Sequence, residues 1–168
     1  MGINDYVELA NRNGWDYSFD GERPYFMQNG QYAIPNENTT EEDKILLAQT
    51  IAEGSDEMVK LILKCWENGI KISGPCSGIT EFHSKKPYAL HFTFIGDSEL
   101  ISKIYEEILA VFPNFNHLYR NNPSNNQDRY DINYVLPENG LTKAESDLIF
   151  LTINNQLDMV LQNKAKRH

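Results

Sequence analysis

Apolar positions along the first half of the chain recur at helical spacing, then alternate, then return to helical spacing. In NDYVELANRNG the side chains of Tyr6, Leu9 and Ala10 share one face; Asn4 or Asp5 is the expected cap, and Asn13-Gly14 ends the helix. WDYSF alternates Trp15, Tyr17 and Phe19 with polar residues, Asp20-Gly21 marks a turn, and PYFMQ-NG-QYAIP carries the Asn-Gly dipeptide of a two-residue hairpin. A small aromatic meander is predicted there. Thr39 and Glu42 are spaced as a capping box opening a helix with Leu47, Ala48, Ile51 and Ala52 on one face. Gly54 interrupts it, Ser55 caps a second helix with Val59, Ile62, Leu63 and Trp66 as its stripe, and Asn68-Gly69 closes that one.

From residue 70 the period changes to that of strands. IKIS is followed by GPCSG, which reads as a turn, then ITEFHSKKP, then the strand YALHFTFI. SELISKIYEEILAVF is helical and stops before Pro113. FNHLY and YDINYVL are strand-like, and NNPSNNQDR between them reads as a mobile loop. Thr142 and Glu145 form another capping box, opening a last helix to about residue 163. The fold class predicted is α+β: an antiparallel sheet of about four strands with helices on one face, preceded by the aromatic meander. Strand-strand-helix occurs twice after residue 70, which suits a pseudo-symmetric sheet. The length fits a single domain over 1–168, organised as 1–36, 37–69 and 70–168.

Charge changes the picture because it is uneven. Residues 1–70 hold 13 acidic and 5 basic side chains, whereas residues 71–168 hold 11 and 10. Binding to nucleic acid rests on cations that neutralise phosphates, so this balance argues against it and toward a larger, more basic protein as partner. The surface expected to serve that partner comprises Glu37, Glu41, Glu42 and Asp43 with the meander aromatics Trp15, Tyr17 and Tyr25. A homo-oligomer is compatible with the same pattern. No apolar run nears the roughly 20 residues that cross a bilayer, and the first residues resemble no secretory leader, so the expected location is cytoplasmic. Cys65 and Cys76 are then thiols; Cys65, on the second helix of the pair, is expected to be a small buried or half-buried side chain rather than a reactive thiol.

The candidate chemistry centres on GPCSG. Gly74 and Gly78 permit positive φ, and the amides of Cys76, Ser77 and Gly78 are expected to converge into a nest for an anion or nucleotide, with His83 beside it. Alternatively Cys76 is a nucleophile, with His83 or His91 as its base; His117 is a more distant imidazole. His91 shares a strand face with Ala89 and Thr93, opposite Leu90, Phe92 and Phe94. Cys76-x6-His83 lacks the paired spacing of a metal site, so neither metal nor cofactor is expected.

The span CWENGIKISGPCSGITEFHSKKPYALHFTF resembles small proteins of low-GC bacteria and their phages that share a helix, Gly-Ile, a strand, Cys-x-Gly-His and a strand beginning Pro-Tyr. Ile79 stands where that pattern has His. The resemblance implies a mobile-element origin, and with it a small non-enzymatic inhibitor of a host defence protein acting by stoichiometric binding.

Overall fold

The computed structural model describes residues 2–82, 89–122, 124–135 and 139–166. The chain forms two compact units, Met1–Ile51 and Ala52–His168, so the boundary falls within the expected helical pair.

The first unit runs α1 (Ile3–Asn13), β1 (Asp16–Asp20), β2 (Arg23–Gln28), β3 (Gln31–Tyr32) and α2 (Glu41–Ile51). Helix α1 begins two residues earlier than expected. Gly2 is the cap residue, and Asp5 is the first-turn carboxylate that accepts from the Gly2 amide at 2.9 Å. Gly14, at φ +71°, ends it. The meander pairs antiparallel in the order β1-β2-β3, with Tyr17 opposite Phe26 and Met27 opposite Tyr32. Asn29 and Gly30 both have positive φ, the type I′ geometry whose twist suits a two-residue hairpin. Trp15 lies 5.8 Å from Phe26, and Tyr6 lies 6.2 Å from the same ring, which joins Leu9, Ala10, Leu47 and Ala48 in the core.

Helix α2 is capped by Thr40 rather than Thr39: the Thr40 hydroxyl accepts from the Asp43 amide at 3.1 Å. Thr39 serves another purpose. Its hydroxyl donates to Asn13 Oδ1 at 2.8 Å and accepts from the Asn36 amide, while Asn13 Nδ2 donates to Asp43 at 3.1 Å. Arg12 closes this clasp between α1 and α2, donating to both Asp43 oxygens at 2.6 and 3.0 Å.

The second unit runs α3 (Asp56–Glu67), β4 (Lys71–Ser77), a 3-10 turn (Thr80–Phe82), β5 (Ala89–Asp97), α4 (Ser98–Val111), β6 (Asn116–Asn122), β7 (Gln127–Val135) and α5 (Lys143–Lys166). Ser55 caps α3 as expected, accepting from Met58 N at 3.1 Å. Thr142 and Glu145 form the reciprocal box at α5: the Thr142 amide donates to Glu145 Oε1 at 3.0 Å, and the Glu145 amide donates to Thr142 Oγ1 at 3.2 Å. The sheet is antiparallel with order β4-β5-β7-β6. Its inner face presents Leu90, Phe92, Phe94, Tyr130 and Ile132, all 0% exposed. Ile101, Ile104 and Ile108 of α4 and Phe150, Ile153 and Leu157 of α5 are buried with them.

Two readings of the sequence are corrected. Pro75, Cys76 and Ser77 of GPCSG are not a turn but the end of β4, which reaches them through a bulge between Ser73 and Cys76. Gly74, at φ +54°, supplies the conformation that the bulge needs, and an edge strand tolerates the missing amide of Pro75. NNPSNNQDR is not a long loop either: Asn121 pairs with Asp128 and Asn122 with Gln127, so the hairpin continues almost to its tip. Both errors share a cause, since Gly, Pro and Asn signal turns locally while a neighbouring strand decides pairing.

The repeated strand-strand-helix pattern gives a sheet with internal symmetry. The central strands β5 and β7 are each nine residues long and pair from end to end, with Thr93 opposite Asp131 at the midpoint. The edge strands β4 and β6 flank them equivalently.

Candidate functional site

Residues directly opposite each other in an antiparallel sheet share a face. The register therefore places Cys76, His91, Asn133 and Asn116 in one row across all four strands, on the face opposite the helices. Thr93, Asp131 and Leu118 form the adjacent row, and Arg129 follows on β7.

A hydrogen-bonded chain runs along this face. Arg129 donates to Asp131 from Nε at 3.1 Å and from Nη2 at 3.3 Å, and the Thr93 hydroxyl donates to the same carboxylate. Burial works against the charged form of Asp131, but the bonds from Arg129 and Thr93 outweigh it, so its carboxyl titrates below its ordinary value. His91 Nδ1 lies 2.6 Å from the Gly74 carbonyl, which only accepts, so this nitrogen carries the proton. Its Nε2 is 3.8 Å from Asp131 Oδ1. A base toward Cys76 requires an uncommitted ring nitrogen. In His91 one nitrogen serves the backbone and the other faces a carboxylate, an arrangement that braces the strands.

The expected nest is also corrected. Ser77 and Gly78 are buried, so their amides do not stand open to an anion from solvent. Ser77 Oγ donates to the Glu53 carbonyl at 3.0 Å and accepts from Ile79 N, the Ser77 carbonyl accepts from Ser146 Oγ at 2.7 Å, and the Gly78 carbonyl accepts from Leu141 N at 2.9 Å. This corner fixes the end of β4 against the start of α5. Cys76 is half-buried, and His83 lies outside the described residues. Cys65 is fully buried as expected, and burial pushes its thiol far above its ordinary value. His117 turns to the inner face, where Nδ1 meets the Tyr130 hydroxyl at 2.6 Å and Nε2 the Phe112 carbonyl at 2.6 Å.

The outer face carries a depression of about 390 Å³ lined by His91, Asn116, His117, Leu118, Arg129, Asp131 and Asn133. Of these the sequence pointed to His91 as a candidate base and to His117 as a more distant imidazole. The alternation in YDINYVL is a signal for a shared face, but it does not reveal which residues of other strands stand beside it, and Arg129 was assigned to a loop.

The first unit carries a different feature, a groove of about 520 Å³ between α1 and α2 lined by Asp5, Glu8, Arg12, Glu42, Ile45, Leu46 and Gln49. Of the expected partner residues, Glu37, Glu41, Glu42 and Tyr17 are exposed, Glu41 being paired with Lys44 at 2.9 Å. Tyr25 is half-buried with Arg23 stacked 4.8 Å from its ring centre. Two expectations fail. Asp43 is 2% exposed because Arg12, Asn13 and Thr40 enclose its carboxylate, and Trp15 is 4% exposed because it packs on Phe26. Periodicity alone does not separate a solvated acid from one held by a distant arginine.

Among the described residues, no group of three or more His, Cys, Asp or Glu side chains is placed to hold a metal ion, and no helix is long and apolar enough to cross a membrane. Comparisons with family models, with curated proteins and with solved structures give no match to this chain.

Proposed function

We propose that the protein acts without catalysis, by stoichiometric binding of a larger, more basic protein through the acid-rimmed groove of its first unit. The observation that carries this reading is the composition of the groove: Glu8 and Glu42 on the rim, with Ile45, 43% exposed, between them. An exposed apolar side chain flanked by one sign of charge suits a partner that brings an apolar contact and the opposite sign. Arg12, the cation in the groove, is compensated by Asp43, so its charge does not offset the rim. Nine acidic and three basic residues among residues 1–51 extend the same field. The partner class that accords with the resemblance of residues 65–94 is a host defence protein, and the mode of action is occlusion in the cytoplasm.

The test is a double reversal, Glu8→Lys with Glu42→Lys, beside Ile45→Glu. Both leave the Arg12–Asp43 clasp in place, whereas changing Asp43 unfolds it. The charge reversal is expected to slow association about tenfold or more at 0.1 M salt, where the Debye length is about 10 Å, and to matter little at 1 M, where it is about 3 Å. Ile45→Glu is expected to speed dissociation. Partner binding unchanged in both variants would make the groove an ordinary surface.

A further inference from the structure

A helix that buries one face in a core is ordinarily polar on the opposite face. Helix α5 departs from this. It packs between α3 and α4 and buries Phe150, Ile153, Leu157 and Val160. Its outward side carries Leu148, Leu151 and Met159, which are 64%, 41% and 49% exposed, and Leu148 is the most exposed large apolar side chain among the described residues. Leu148, Asn155 and Met159 follow one another at intervals of seven and four residues, the spacing that sets side chains along one seam between paired helices, and Leu151 lies beside them. Single exposed leucines are ordinary on a protein surface, whereas an apolar row on one helix marks a contact.

The surroundings of the row select its occupant. Between residues 146 and 163 the only charged side chains of α5 are Asp147 and Asp158. Both are compensated within the chain, Asp147 by Lys143 at 2.8 Å and Asp158 by Lys64 of α3 at 2.7 Å. No single sign of charge is left to draw an oppositely charged partner, in contrast to the groove of the first unit. Asn155 is exposed within the row, and its amide, a donor beside an acceptor, is satisfied in an otherwise apolar seam by a second amide. A second copy brings that amide to the matching place. The area is sufficient: helices α3, α4 and α5, of 12, 14 and 24 residues, present about 700 Å² when laid side by side at 1.5 Å per residue and about 9 Å spacing. Two such layers bury up to roughly 1,400 Å², within the range of about 1,200–2,000 Å² of specific interfaces.

We propose that α5 is a self-association surface: a second copy of this chain packs its own α5 against the row, in a two-fold dimer with the two Asn155 amides facing each other. The first-unit groove is independent of this surface, and either can fail alone. The experiment is sedimentation equilibrium of the full chain up to about 500 µM, where a dissociation constant on the order of 10 µM is expected for an interface of this size without charged anchors. Raising the salt from about 0.1 to 1 M is expected to strengthen the dimer, because each copy carries a net charge of −9 and like charges are screened. Leu148→Glu with Met159→Glu is expected to weaken it at least tenfold while Tm stays within a few degrees, since both side chains are exposed in the single chain. Asn155→Asp, nearly the same shape, sets like charges opposite each other and is expected to weaken it comparably at pH 7. Ile45→Glu in the groove is expected to leave the dimer unchanged. A chain that stays monomeric throughout, a dimer dissociated by salt, a dimer undiminished in the folded Leu148→Glu, Met159→Glu variant or in Asn155→Asp, or one lost with Ile45→Glu would overturn the assignment.

Discussion

At the scale of single residues, the clearest energetic statement concerns Asp43. Hydrogen bonding from Arg12 outweighs burial and, with Asn13 and Thr40, holds its carboxyl at about 2 instead of the ordinary 3.8. A folded-state value below the unfolded one means stability that is fully present above about pH 5 and is lost as pH falls through 4 toward 2. The size is about 2 kcal/mol, at roughly 1.4 kcal/mol per unit. Asp43→Asn is therefore expected to lower the unfolding free energy by about 2 kcal/mol at pH 7 in urea titrations, with the gap to wild type shrinking near pH 2.5. An equal gap at both values would assign the effect to shape instead of charge. Cys65 provides a second test: fully buried, it is expected to resist iodoacetamide at pH 8 until denaturant unfolds the chain, as read by mass spectrometry of the modified peptide. That Cys65 lies on α3 was legible in the sequence, but its buried face was not: the expected stripe of Val59, Ile62, Leu63 and Trp66 is rotated, and Met58, Leu61, Ile62 and Cys65 are the buried positions. The burial of Asp43 was not legible either, because its partner Arg12 lies 31 residues away and side-chain type alone gives no distance.

At the scale of elements, local chemistry predicted helices well and the ends of strands poorly. Ser55 and the Thr142–Glu145 pair cap their helices as expected, by interactions that reach three residues, which a sequence displays directly, whereas the caps of α1 and α2 fall at Gly2 and Thr40 instead of Asn4 or Asp5 and Thr39. Thr142→Ala is expected to cost about 1 kcal/mol, seen as a fall in Tm with an unchanged fold. The bulge of β4 is a different matter, because it exists only in relation to β5. Gly74 has φ +54°, and a Cβ there would lie 3.3 Å from the His91 ring. Gly74→Val is expected to lose about 1–3 kcal/mol from backbone strain and to displace the imidazole, moving the NMR resonances of His91. A variant of wild-type stability would mean that the bulge takes another form. The same non-local logic explains the site on the outer face: Asn133, Asn116 and His91 come from three strands, and only the register puts them in a row.

At the scale of the whole molecule, the expected α+β class and the sheet of four antiparallel strands hold, as does the aromatic meander before it. Partition into units was not legible, since Ile51 and Ala52 continue one helical stripe and the sequence marks Gly54 as the break. Residues 52–168 contain a sheet with the buried faces of α4 and α5 against it, so this segment is expected to fold by itself, giving a dispersed NMR spectrum and cooperative urea unfolding. A collapsed spectrum would show that the chain is a single cooperative domain. The excess of acid in the first unit acts over longer distances than any single bond, and the functional proposal depends on it. Its most direct test is affinity capture from the source cells with wild-type protein and with the Glu8→Lys, Glu42→Lys variant side by side, quantified by mass spectrometry at 0.1 M and 1 M salt. The account predicts one larger, basic protein bound near equimolar amounts by wild type at low salt, diminished at high salt and lost from the folded variant. The same protein retained in equal yield by the folded variant, or no protein retained by the wild type, would contradict it.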